Sequence, residues 1–413
     1  MLILTTAFLI ALALMVALRF WLASRQLTAV RAHRGVVPAA FAASITLAEH
    51  QRAADYNAAR LGVGRLELVF DALLLLVVTL GGGFALIDRW CAALGLGPVW
   101  HGVVTLTALA LLMAAAGLPF SLYSTFSVEA RFGFNRVTPT LFVLDLARAL
   151  AVGLALGVPL LAVLLWLMAA SGAAWWLYAW GVWVVFGLVV SFAWPRFIAP
   201  LFNRFRALEP GPLREAVERI MQRCGFASDG VFVMDGSRRS SHGNAYFTGV
   251  GRAKRIVLFD TLLERLEPTE VEAVLAHELG HFRLHHVRQR LLFGFATALI
   301  GFAVLGVAAG TPDFYRALGV PLPSTHAALA LFMLVVPVFT FPLAPLSSWW
   351  SRRHEYQADR FAAAHSDARA LAAALVKLYR DNASTLTPDA LYSAWHDSHP
   401  PALARIAALE RGA

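Results

Sequence analysis

Cysteine, lysine and charge are all scarce in this chain. Only Cys91 and Cys224 occur, so neither a disulfide framework nor a cysteine metal site is available. Lysine appears only at Lys254 and Lys377, every other basic side chain of this type being arginine. With so much alanine and leucine, that usage hints at a GC-rich, bacterial genome. Charged residues make up 15% of the sequence against 59% hydrophobic, far from the roughly one quarter charged of soluble proteins. Water is therefore not the main solvent. No internal repeat or low-complexity linker divides the chain.

Apolar runs fill the space that charge leaves. Those at residues 2–23, 66–88, 102–124, 147–170, 174–195, 289–310 and 327–348 can each cross a bilayer, which takes about 20 helical residues. The expectation is a mainly α, polytopic membrane protein with about seven transmembrane helices. Nothing ahead of the run from Leu2 to Leu18 is basic, while Arg19, Arg25, Arg31 and Arg34 follow it, the reverse of a cleaved signal. It is expected to be a retained helix with its N-terminus outside.

Basic residues accumulate on the cytoplasmic side. The first connection carries Arg52, Arg60 and Arg65 besides those just named, and the third-to-fourth connection carries Arg131 and Arg136. The alternate loops are poor in base: 89–101 holds only Arg89, 171–173 none, and 311–326 only Arg316. This alternation places 196–288 and the tail from Ser351 in the cytoplasm and puts Cys91 and Cys224 on opposite sides. The net charge of +9 is then a topology signal, with some attraction to anionic headgroups, and calls for no nucleic-acid partner. The division that follows is 1–195 (five spans), 196–288 (catalytic region), 289–350 (two spans) and 351–413 (second catalytic region).

The first polar region reads as a small α+β unit. It has an amphipathic helix near Pro212 to Cys224, short strands at Gly230–Met234, Asn244–Thr248 and Arg255–Phe259, and a helix from about Thr269 to Val287. Glu270 and Glu272 fall in the first turn of that helix, where the macrodipole favours acids. The second region reads as helix from Ser351 through Tyr379, with neither Pro nor Gly intervening.

The decisive run is His277-Glu278-Leu279-Gly280-His281. On a helix it sets two imidazoles one turn apart on one face, within reach of a single ion, with a glutamate beside them. Catalytic zinc needs a third protein ligand and an open position for water. The variant with a third histidine nearby is excluded, because Leu284 and Val287 stand where it requires Gly and His. His285 shares the face of His277 but lies about 12 Å along the axis, too far to share one ion. His285 and His286 are therefore read as surface or interfacial residues.

The third ligand is sought in Arg353-His354-Glu355-Tyr356-Gln357-Ala358-Asp359, just after the last span. Glu355 can ligate the metal, and Asp359, one turn on, can accept the free ring N–H of a zinc histidine and fix its tautomer. A solvated charged helix face is the alternative for Glu355, since Arg352 and Arg353 precede it, and ligation is the favoured reading. With one Zn²⁺ bound, the pKa of a coordinated water falls to about 7, and Glu278 takes its proton for attack on a peptide carbonyl and passes it to the leaving amine. His399, in Ser398-His399-Pro400-Pro401, is the candidate donor to the oxyanion, an ordinary turn before two prolines being its alternative. A transporter or channel would also have several spans and buried acids, but leaves HELGH and Glu355 unexplained. A catalytically silent zinc-binding scaffold is opposed by the intact Glu278.

In these features the chain resembles the integral-membrane CAAX prenyl proteases, zinc metalloendopeptidases of the gluzincin type. The likeness runs nearly end to end. It is carried by Asp55-Tyr56-Asn57-Ala58-Ala59-Arg60, by Pro119-Phe120-Ser121-Leu122-Tyr123 through Phe132-Gly133-Phe134-Asn135, and by Asn244-Ala245-Tyr246-Phe247. HELGH, Glu355 to Asp359, and His399-Pro400-Pro401 with Arg405 complete it. The resemblance implies a seven-helix barrel around a water-filled chamber, with the zinc site on its cytoplasmic side. Glu67 and Asp71 would be less costly facing that chamber than lipid. It also implies that Asn244 and Ala245 form an edge strand pairing with an extended peptide, where a simple Asn turn is the alternative. Arg405 would be an ion-pair partner of an acidic site residue. The implied substrates are peptides or membrane-associated proteins, lipidated or not, cut in processing or quality control at a bacterial inner membrane.

Overall fold

Hydrocarbon offers no partner to a backbone N–H or C=O, so each apolar run must satisfy its own hydrogen bonds, and helices result. The computed structural model describes residues 1–226, 230–248 and 255–412, so Lys254 lies outside the described residues. In chain order come α1 (Leu2–Ala32), α2 (Leu47–Val78), α3 (Gly83–Ala92), α4 (Pro98–Tyr123), α5 (Pro139–Ala170) and α6 (Trp175–Ala193). Two later apolar helices are His286–Ala309 and Thr325–Thr340, the second turning through Phe341–Leu343 into Ala344–His365. Among the described residues six helices are long and apolar enough to cross a membrane, or up to seven if a bent pair is one span. The chain is thus a multi-pass, mainly α membrane protein with one small sheet.

The bundle turns apolar groups both ways. Phe8, Leu75, Val78, Phe84, Leu165 and Leu331 pack in its core, while Leu14, Val185, Val189, Ile300, Val304 and Val307 are exposed on its outside. Lipid tails are as apolar as these side chains, so the outer set carries no penalty in a bilayer.

The run at 66–88 is not one straight helix. α2 ends at Val78 and α3 leaves it at 54°. Gly81, Gly82 and Gly83 make the corner. Gly82 is left-handed at φ 77°, and a Cβ on Gly81 or Gly83 would meet the Val77 carbonyl oxygen at 2.7 or 2.9 Å. At its other end α2 begins well before the span. The Thr46 hydroxyl accepts from Glu49 N at 3.2 Å while the Glu49 carboxylate accepts from Thr46 N at 2.7 Å, a reciprocal cap. The segment between cap and span ties the bundle to the polar regions: Tyr56 donates to Glu129 at 2.5 Å, and Asn57 to the Ala383 carbonyl at 3.0 Å.

Polar space lies inside the bundle. A cavity of about 680 Å³ is lined by Arg19, Arg60, Arg65, Glu67, Ser121 and Thr125 among others, so Glu67 faces a chamber. Asp71 is exposed but is not among its lining residues. A second cavity of about 290 Å³ shares Asn57, Arg60, His396 and Asp397 with the first.

The polar unit is a four-stranded sheet in the order β1-β2-β4-β3, from β1 (Phe205–Ala207), β2 (Val231–Met234), β3 (Ala245–Thr248) and β4 (Arg255–Phe259). β2 and β4 are parallel, with Val231 opposite Ile256, and the other pairs are antiparallel. β3 is left as an edge. The sequence reading missed β1, a three-residue strand with no alternation to read. Val217, Ile220, Ile256, Leu258, Leu275 and Leu371 pack sheet and helices into a core separate from that of the bundle. Cys91 and Cys224 are both free and buried.

Two helix boundaries differ from expectation. The HELGH helix spans Pro268–Arg283 and stops short of Val287, because His285 is left-handed at φ 61° and a new helix starts at His286. Helix does not run unbroken from Ser351 to Tyr379 either. It breaks after His365, and Asp367 caps the next helix, Ala368–Asp381, by accepting from Arg369 N at 2.8 Å.

Gly81→Ala should destabilise the protein by about 1–3 kcal/mol through overpacking at the corner, whereas Gly62→Ala, with nothing within 4 Å of its added Cβ, should be neutral or slightly stabilising. Thermal unfolding in detergent tells the two apart, and equal midpoints would remove the corner's steric explanation.

Candidate metal centre

The HELGH helix is held firmly at its start. Glu267 N donates to Glu270 Oε2 at 2.8 Å, and Lys377 Nζ reaches the same oxygen at 2.7 Å. Val271, Leu275 and Leu279 bury one face of the helix in the polar unit's core. The motif's own glycine sets the approach of the second helix. A Cβ on Gly280 would lie 3.1 Å from Ala358 Cα and 3.2 Å from its carbonyl oxygen. The HELGH helix and Ala344–His365 are therefore in near backbone contact at this point, as small residues permit.

That contact brings the expected ligands together. His277 Nε2 lies 3.2 Å from His281 Nε2 and 3.4 Å from Glu355 Oε2, and His281 Nε2 lies 3.3 Å from Glu355 Oε1. A tetrahedral ion about 2.0–2.1 Å from each donor would hold donor pairs about 3.3 Å apart. The three residues fit such an ion. Glu355 Oε2 is moreover buried with no hydrogen-bond partner, an acceptor left for a cation to satisfy.

Behind the ligands lies a second layer. His277 Nδ1 donates to Asp359 Oδ1 at 2.8 Å, which leaves Nε2 facing the ion position. Arg405 forks the same carboxylate, Nε to Oδ2 at 2.9 Å and Nη2 to Oδ1 at 2.6 Å, and its Nη1 lies 3.9 Å from Glu355. Arg405 is only 5% exposed, and its buried guanidinium pairs with the Asp359 carboxylate. Burial pushes the His277 imidazole down, but the hydrogen bond to Asp359 and the nearby Glu355 carboxylate outweigh it and raise the group to about 9.

Glu278 and His277 both line a cavity of about 520 Å³, which Asn244, Ala245, Tyr379, His399 and Arg405 also border. Burial lifts the Glu278 carboxyl above the usual range. His399 Nε2 is 3.5 Å from Glu355 Oε2, and its side chain is 61% exposed. Asn244 is exposed and Ala245 buried at the start of edge strand β3, Ala245 opposite Leu258. Asn244 Oδ1 accepts from Ala245 N at 2.8 Å.

His286 is where the sequence reading went wrong. It is 1% exposed, not on the surface. Its Nδ1 lies 3.0 Å from His281 Nδ1, its Nε2 2.9 Å from Gln357 Oε1, and its ring stacks on His354 at 3.9 Å. The break at His285 rotates His286 inward, and an unbroken helical wheel cannot show that. His285 itself is exposed, as expected.

Fold and site together define a membrane-embedded metallopeptidase, an enzyme acting on proteins or peptides. Residues 26–204 match the model of the CAAX prenyl protease N-terminal region with five membrane helices, and residues 207–413 match that of peptidase family M48. The chain belongs to this family. It is 38% identical over 325 residues to the Arabidopsis thaliana CAAX prenyl protease 1 homolog, covering 77% of this chain and 76% of that one. It is 34% identical over 364 residues to the Homo sapiens homolog, covering 78% and 77%. The crystal structure of S. mikatae Ste24p superposes with a TM-score of 0.92 at 30% identity, covering 98% of this chain and 99% of that one. A transporter or a silent scaffold is not favoured by these matches.

Because His277 in the metal-free chain holds a proton up to about pH 9, a divalent ion must displace it. Apparent affinity of the stripped protein should therefore climb by about tenfold per pH unit from pH 7 toward 9, with proton release. Competition against a chromophoric chelator measures this, and a flat profile would contradict the protonated imidazole.

Proposed function

We propose that the chain is a zinc endopeptidase whose centre is assembled from 196–288 and 351–413, brought together beneath the spans of 1–195 and 289–350. The observation that carries this is the match of the His277, His281 and Glu355 donor spacings to a tetrahedral ion. When bound there, zinc supplies Lewis acidity, lowering the pKa of a coordinated water to about 7 and polarising the carbonyl under attack.

The other steps belong to the protein's own groups. Glu278, raised by burial and facing the cavity, accepts the proton of the attacking water and delivers it to the departing amine. Asp359 keeps the proton of His277 on Nδ1, and Arg405 holds Asp359 in place. His399, at the cavity wall, donates to the oxyanion as it forms. The edge of β3 at Asn244 and Ala245 borders the same cavity and takes the peptide as an added antiparallel strand.

The substrates in this reading are membrane-associated proteins, lipidated or not, cut in processing or quality control. Support comes from the relatives named CAAX prenyl proteases and from the polar cavity within the bundle. The arginine-rich connections support a cytoplasmic catalytic side with the N-terminus outside, and arginine in place of lysine supports a bacterial inner membrane.

Glu278→Gln should reduce peptide cleavage in detergent by at least about 10²-fold while the zinc of this centre stays bound, because it removes the proton acceptor and no ligand. Glu355→Ala should lose the zinc of this centre together with the activity. The reading fails if wild type and Glu278→Gln cleave equally, or if neither cleaves with metal present. Asn244→Ala should raise KM by about fivefold, the worth of one hydrogen bond, with little change in kcat. Loss confined to kcat would place Asn244 outside substrate binding.

A further inference from the structure

A second group of metal-ligating side chains lies far from the peptidase centre. We infer that Asp88, His101 and His326 form a site for a divalent transition-metal ion at the opposite end of the bundle. Asp88 is on α3, just beyond the glycine corner, while His101 and His326 sit in the first turns of α4 and of Thr325–Thr340. One donor atom from each lies within 4.8 Å of the others. His101 Nε2 is 2.9 Å and His326 Nε2 2.8 Å from the same oxygen, Asp88 Oδ1. Ser324 Oγ lies 3.2 Å from His326 Nε2 and offers a fourth donor. Glu355 lies at the far end of the bent span that His326 begins, roughly 40 Å away at ~1.5 Å per helical residue.

The site is partly enclosed, the side chains of His101 and Asp88 being 20% and 30% exposed. His326 is 5% exposed and Thr105, behind Asp88, is fully buried. Gly102 lets α4 approach so closely that a Cβ there would fall 2.9 Å from His326 Cβ. Among the described residues no arginine or lysine pairs with Asp88, whose only charge partners are the two imidazoles. The loops that supply the site, 89–101 and 311–326, are the base-poor ones, so the carboxylate's charge is left for a cation. Two imidazoles and one carboxylate suit zinc and its first-row neighbours and are a poor match to calcium or magnesium. The contacts now have hydrogen-bond length and need to open by a few tenths of an ångström toward the spacing of about 3.3 Å that such an ion sets. The ion would clip the broken α2–α3 span to the ends of two other helices.

The test is zinc stoichiometry on the purified full chain, stripped with chelator and reloaded with ZnCl₂. Wild type should hold two ions, Asp88→Asn/His326→Gln one with peptide cleavage retained, and His277→Ala/His281→Ala one. In the His277→Ala/His281→Ala background, added zinc should still raise the unfolding temperature, and Asp88→Asn should abolish that shift. A single ion in wild type, or no ion and no shift in the His277→Ala/His281→Ala chain, overturns the site. Equal retention after all four substitutions identifies surface binding and overturns it too. If the Asp88 variants do not fold, His101→Gln, at a partly exposed position, gives the same comparison.

Discussion

The peptidase centre depends on one steric fact, the near contact of two helix backbones at Gly280 and Ala358. Each residue stands immediately before the second member of the polar pair on its own helix, His281 on one and Asp359 on the other. Helical geometry then fixes the rest. His277 is one turn back from His281, and Glu355 one turn back from Asp359, so a single crossing point sets all four side chains facing one another. A side chain at 280 would force the neighbouring helix to give by a few tenths of an ångström, comparable to the tolerance of about 0.2 Å in a metal–ligand distance.

Packing this tight forces charge into a dry place, and the surroundings answer it group by group. Glu355 and Asp359 are each 2% exposed, and a buried carboxylate is costly unless paired. Asp359 is fully engaged by His277 and by both arms of Arg405. Glu355 is not: one oxygen keeps an unfilled acceptor position. Asp359 first, and then Glu355, favour the protonated His277 imidazole and raise it despite burial. Proton and metal ion are thus alternative answers to the same electrostatic demand.

Much of this was legible in the sequence, because the chemistry follows short-range periodicity. An i, i+4 histidine pair and an i, i+4 carboxylate pair identify which face of which helix matters, and apolar run length identifies the spans. What escaped was decided by single residues that interrupt a period. Three glycines bend a run that hydropathy reads as continuous, left-handed His285 ends a helix whose propensities would carry it on, and Asp367 caps where no Pro or Gly warns of a stop. His286 was misread for the same reason, since its place beside His281 exists only after the break. The closeness at Gly280 is a property of two helices at once, and no single segment encodes it.

Hydrolysis within a membrane protein needs a route for water and chain, and three neighbouring cavities share walls between the bundle and the site. The catalytic cavity shares Tyr379, Asn382, Ser384 and His399 with the small cavity, which in turn shares Asn57, Arg60, His396 and Asp397 with the large one between the spans. Arginines and Glu67 line that space, and a polar-walled cavity makes ionisable residues tolerable within apolar spans. The same cap that starts α2 ahead of the membrane, and the bonds of Tyr56 and Asn57 to Glu129 and Ala383, hold the junction between chamber and site in place. The bundle's polar interior and the candidate metal centre are therefore linked through a shared set of lining residues.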